Sequence, residues 1–171
     1  SFPFGTRQNY TTARDNDGWY ASQTLGSPNA SFGGFHLGED WNLESGGNTD
    51  LGQPVFAIGD GTIAVAGSYT GWGNIVTIRH TLADGRQLES FYAHLDRMDV
   101  VAGQVVSRGQ QIGTVGDGGG TQEASHLHLE LRENTGFGWP AIGIGYSASA
   151  QPTGWLDPSV FIRAHLPNAT G

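Results

Sequence analysis

A chain of 171 residues with 37% hydrophobic and 11% aromatic content can bury one sizeable core, so a single domain over residues 1–171 is expected. Its formal charge of −8 lacks the basic footprint with which nucleic-acid binders release counterions. Cysteine is absent, which excludes disulfides and thiolate metal sites, and so is lysine, which excludes P-loop, Schiff-base and lipoyl-lysine chemistry.

Residues 1–34 are polar, aromatic and turn-rich, and are expected to form an irregular arm wrapping a sheet. Ser1-Phe2-Pro3-Phe4 reads as the start of a processed or trimmed chain, and no segment has the length and apolarity of a membrane span or a signal-peptide core. The string His36-Leu37-Gly38-Glu39-Asp40 follows. Its His36 and Asp40 would converge on a helix face but spread to about 13 Å along a straight strand. Because Gly33, Gly34 and Gly38 surround the pair, a turn or kinked loop is expected to bring the side chains together.

Pro54 to Ile58, a turn at Gly59-Asp60-Gly61 and Thr62 to Ala66 read as a hairpin. Asn74 to His80, Asp84-Gly85 and Leu88 to Leu95 read as a second. Val100 to Val106 and Gln111 to Val115 are further strands. The run Gly116 to Gly120 reads either as a flexible turn before the His126 strand or as a groove wall whose small residues let an extended peptide approach, since neither a following helix nor a lysine supports a phosphate loop. Ser125 to Arg132 alternates cleanly and reads as a half-buried strand. Residues 134–154 form a long loop bearing Trp139 and Tyr146, which either lines a groove and tunes specificity or is a passive insertion, before a turn at Trp155-Leu156-Asp157-Pro158. The sequons at Asn9, Asn29 and Asn168 mean little if the source is bacterial. Helical periodicity of useful length is not evident, so the expected class is all-β: a twisted antiparallel sheet with a second small sheet and a groove.

His36, Asp40 and the His126-Leu127-His128 string supply imidazoles and a carboxylate suited to one open zinc site. Side chains two apart on a strand start roughly 6–7 Å apart on one face, so one histidine of the string can be a ligand and the other a base. Spacing does not say which. His94 shares parity with Ser90 and Tyr92, opposite Phe91, Ala93 and Leu95, which places it on the expected polar face. His80 reads as a buried or strand-end histidine with a hydrogen-bond partner, and His165 as solvated. Glu39 reads as a solvated or groove-rim carboxylate, whereas Glu130 shares the face of His126 and His128 and is placed to orient one of them.

The segments His36 to Asn42, Pro54 to Gly67, Gly73 to His80, Tyr92 to Leu95, Gly103 to Gly113 and His126 to Arg132 together resemble the M23 zinc metallopeptidases of the lysostaphin and LytM type, in that family's order. The resemblance implies that His36, Asp40 and His128 hold one Zn2+ per chain, with His94 and His126 as unliganded catalytic histidines. It implies hydrolysis of peptide bonds in peptidoglycan by a monomeric enzyme that is secreted, periplasmic or associated with the cell wall. Two alternatives stand beside this: a non-catalytic M23-like groove binder that regulates another wall hydrolase, and a zinc peptidase acting on a glycine-rich peptide outside the wall.

Overall fold

β-Branched and aromatic residues alternating with small polar ones favour pleated, half-buried surfaces, and glycine-rich turns divide them into short strands. A computed structural model describes residues 1–4, 10–118, 124–136, 138–140, 142 and 144–166. In order these form β1 (Trp19–Gln23), β2 (Pro28–Asn29), β3 (Gly34–His36), β4 (Glu39–Leu43), β5 (Pro54–Phe56), β6 (Gly61–Tyr69), β7 (Gly73–Thr81), β8 (Gln87–Met98), β9 (Val105–Val106), β10 (Gln111–Val115), β11 (Leu127–Glu133), β12 (Tyr146–Ser147), β13 (Trp155–Leu156) and α1 (Pro158–Ala164). Asn9, Asn168 and the Gly119-Gly120 end of the glycine run lie outside the described residues.

Ten strands build one antiparallel sheet with the order β1-β4-β11-β8-β7-β6-β9, to which β5, β10 and β13 attach. A second sheet runs β12-β3-β2. The expected all-β architecture, a twisted antiparallel sheet with a second small sheet, is therefore what the chain adopts. The main core packs Tyr92, Leu95, Leu127, Leu129 and Leu131 against Trp41, Ile63 and Ile78. No helix among the described residues is long and apolar enough to cross a membrane.

Four local expectations are corrected. β5 and β6 do not pair: β5 bonds β10, and β6 bonds β7 and β9. Ala57 N–H donates to the Gln110 carbonyl, and Asp60 Oδ1 accepts from Arg108 N–H, so Gly59 to Gly61 is a corner between two different partners. Residues 1–34 are not simply irregular, because β1 extends the main sheet beside β4 while Phe2 and Phe4 are core residues. Phe4 stacks on Trp19 with ring centroids 4.2 Å apart. Of Val100 to Val106 only the last two residues pair as a strand. Finally, α1 escaped periodicity because seven residues are too few to show it, although Asp157 capping Val160 N–H at 2.8 Å, with Pro158 behind it, is a helix-start signal.

A candidate metal centre in a groove

The peptide between β3 and β4 changes sheets, and that corner builds the site. His36 ends a strand of the small sheet, Leu37 and Gly38 bend, and Asp40 lies in the main sheet opposite His128 of β11. Gly38 is needed there, since a Cβ would sit 2.4 Å from the Leu129 carbonyl oxygen. The kinked loop anticipated from the glycines thus carries the imidazole back over the carboxylate.

His36 Nε2, Asp40 Oδ1 and His128 Nδ1 converge. His128 Nδ1 lies 2.8 Å from Asp40 Oδ1 and 3.1 Å from His36 Nε2, and His36 Nε2 is 3.2 Å from Asp40 Oδ1. All three residues are buried, with one donor atom from each within 4.8 Å of the others, a cluster able to hold a metal ion. Two imidazole nitrogens and one carboxylate oxygen, without thiolate, are a donor set suited to zinc with a coordination position left open. Burial works against the charged form of His128, but hydrogen bonds with Asp40 and Glu130 outweigh it and push it up to about 9. Burial likewise opposes ionisation of Asp40, and the same two histidines reverse that, holding its carboxyl well below the usual range.

Glu130 Oε1 meets His128 Nε2 at 3.0 Å, and its Oε2 accepts from Trp155 Nε1 at 2.9 Å. A carboxylate on the outer nitrogen of a histidine keeps the proton there, so that the inner nitrogen can offer its lone pair to a metal. Glu130→Gln is therefore expected to weaken zinc affinity by about 10–100-fold, measured by competition with a chelating dye. Unchanged affinity would show that Glu130 only packs.

His126 and His94 face the same centre without joining the cluster. Only the Nδ1 of His126 can donate to the Ala124 carbonyl at 2.9 Å, which leaves Nε2 with a free lone pair, 3.8 Å from Asp40 Oδ1. The ring of His94 lies 4.6 Å from that of His126 and 6.0 Å from that of His128. Burial, followed by the nearby His128 and His126, pushes His94 down to about 3, so its imidazole is neutral.

His94 reaches this face by a route that parity misjudged. Tyr92 and Leu95 lie in the main core, while Phe91 and Ala93 are on the site face, opposite Glu130 and His128. Continued alternation would bury His94 beside Tyr92. Instead His94 takes a left-handed backbone (φ 62°) at a register shift in β8, and this bulge returns its side chain to the site face. β11 itself is buried on both faces rather than one, its Glu130 and Arg132 being 3% and 1% exposed.

Other expectations fall as follows. Glu39 is fully buried rather than solvated. It accepts from Trp41 Nε1 at 2.9 Å, from Ser159 Oγ at 2.9 Å and from Ser159 N–H at 3.2 Å, and burial pushes its carboxyl up to about 7. His80 is buried between the Asp60 carbonyl and Ser90 Oγ, as its strand position indicated. His165 is exposed and also stacks on Phe161, a partner the sequence reading missed. The groove over the centre measures about 450 Å3 and is walled by Phe32, Ile144 and Tyr146 on one side and the Trp72 hairpin on another. Trp139 packs instead against the Arg79 guanidinium. Trp72 and Phe32 were not singled out from the sequence. For Trp72 a signal existed in the Gly71-Trp72-Gly73 turn, whereas Phe32 carried none.

An antiparallel β floor, an open groove and a buried His-Asp-His cluster able to hold a metal, with two further histidines beside it, are compatible with metal-assisted hydrolysis. The chain belongs to peptidase family M23, whose profile matches residues 34–137. The catalytic domain of lysostaphin from Staphylococcus simulans has 32% identity and a TM-score of 0.54, over 77% of this chain and 81% of that one. The cell division protein DipM of Caulobacter vibrioides is 44% identical over 82 residues, which is 47% of this chain and 13% of that protein. Peptidoglycan DD-endopeptidase ShyA of Vibrio cholerae is 40% identical over 81 residues, 47% of this chain and 18% of that protein. The chain thus spans less than a fifth of the length of these two curated relatives.

Proposed function

We propose that this chain is a zinc-dependent endopeptidase that hydrolyses peptide bonds in bacterial peptidoglycan cross-links. The observation that carries the reading is the convergence of His36 Nε2, Asp40 Oδ1 and His128 Nδ1 at the floor of an open groove, with the free Nε2 of His126 beside them. Relatives named as peptidoglycan endopeptidases and as the antimicrobial peptidase lysostaphin support the substrate class.

His36, Asp40 and His128 would hold the zinc, which when bound supplies Lewis acidity and makes water a nucleophile near neutral pH. His126 Nε2 accepts the proton of the attacking water, because its other nitrogen is committed to the Ala124 carbonyl. The neutral imidazole of His94 donates a hydrogen bond to the carbonyl oxygen as negative charge develops on it. His126 then returns its proton to the leaving amine. A groove open to solvent admits an extended peptide. The chain works as one monomeric domain on the outer side of the cytoplasmic membrane, with Ile144, Gly145 and Tyr146 of the long loop lining the groove.

The test is mass spectrometry of fragments released by the zinc-loaded protein from purified peptidoglycans, some cross-linked directly through D-alanine and some through glycine bridges, with a chelated control. New amino termini that vanish on chelation are the expected result. Walls left intact across the panel, with the protein still bound to them, would replace this reading with a groove-binding module.

A further inference from the structure

Trp72 stands at the tip of the β6–β7 hairpin and touches more of the site than any role so far requires. Its ring lies nearly parallel to that of His94, centroids 5.6 Å apart at 17°, and tilts over His128 at 5.0 Å. Its edge meets Phe91 at 5.1 Å, and its backbone carbonyl accepts the His94 backbone N–H at 3.0 Å. Gly145 lines the same groove and sits where a Cβ would approach the indole Cζ2 to 3.2 Å.

The two unliganded histidines are held differently. His126 is fixed by a hydrogen bond from Nδ1 to a carbonyl, whereas His94 Nδ1 is buried and no group among the described residues completes a hydrogen bond to it. A buried imidazole without that constraint is oriented by what packs on its face. Its backbone also sits in the left-handed region, which a side chain with a Cβ adopts only when its surroundings impose it.

We infer that Trp72 is a positioning residue for His94, setting the imidazole's angle by stacking, and that Gly145 of the long loop sets Trp72 in turn. The inference rests on the reading of His94 as a catalytic residue. It makes the long loop a determinant of turnover as well as a wall. Gly145 suits this twice, having a positive φ of 65° and lying so close to the indole that a methyl group there would press on the ring.

The experiment measures kcat and KM on a soluble cross-linked muropeptide dimer for zinc-loaded Trp72→Phe, Trp72→Leu, Gly145→Ala and the double variant Trp72→Leu with Gly145→Ala. Zinc content and the ring-proton NMR shift of His94 are read alongside. Trp72→Leu keeps an apolar side chain but no ring, and should lower kcat by about 100-fold, the scale of loss from roughly 1 Å of misplacement, with KM and zinc content little changed. Trp72→Phe should restore most of the rate and leave His94 with a ring-current shift that the leucine variant lacks. Gly145→Ala should slow the enzyme by itself and have almost no further effect when Trp72 is already leucine, the signature of coupled sites. A change confined to KM, or full additivity of the two substitutions, would overturn the inference. If Trp72→Leu loses zinc or fails to fold, Gly145→Ala decides, and an unchanged kcat with an unchanged His94 signal in that variant would overturn the inference. Full activity in His94→Ala would instead remove the reading beneath it.

Discussion

Asp40→Ala is expected to release the metal and abolish hydrolysis. Asp40 is the only anionic member of the cluster and lies within 3.2 Å of both imidazoles, so its removal leaves two neutral donors and no charge to balance a dication. Zinc measured by elemental analysis after dialysis should fall from about one per chain to near zero, and turnover should drop by more than about 1,000-fold, since the nucleophile depends on the metal. The fold should survive. The Asp40 backbone is locked between β1 and β11, and circular dichroism should show unchanged strand content. Metal binding must also displace the proton that this arrangement places on His128, so the affinity of the intact protein should fall as pH is lowered. Retention of stoichiometric zinc by the alanine protein would remove Asp40 from the ligand set.

His126→Ala separates chemistry from metal binding. His126 is 3.8 Å from the Asp40 carboxylate and part-exposed in the groove, positioned beside the cluster rather than within it. Its alanine variant should keep one zinc per chain and lose about 100–10,000-fold in kcat, the range for removing a positioned general base. Loss of zinc would make it a ligand, and full activity would refute its assignment as the base.

The floor of the site was legible because period-two alternation puts His126, His128 and Glu130 on one parity whatever covers them. The corner at His36 to Asp40 was legible because glycines make a straight strand implausible there. His94 was assigned to the correct groove for the wrong reason. Alternation holds only while pairing is regular, and nothing in Tyr-Ala-His-Leu announces that an extra residue in β8 will invert the parity at the histidine. Glu39 was misplaced because a charged residue defaults to solvent unless its donors are known, and its donors come from Trp41 and from Ser159, which is far away in sequence. The false hairpin at residues 54–66 has the same cause. Local turn chemistry was read correctly, but the partner strand β10 lies beyond local reach.

The Glu39–Ser159 contact also bears on how such a domain can be inherited. The two residues are 120 positions apart, yet one carboxylate next to Asp40 depends on the first turn of α1 for two of its hydrogen bonds. A recombination event that exchanged the coding segment for α1 while keeping that for β4 would strand that carboxylate in an apolar interior, at a cost of about 1–3 kcal/mol or more for each lost partner. Such chimaeras are disfavoured unless the incoming helix again brings a serine or an equivalent donor. Over evolutionary time, the segment preceding Trp41 and the segment following Asp157 should therefore travel as a single heritable block, although the intervening groove loops remain free to vary.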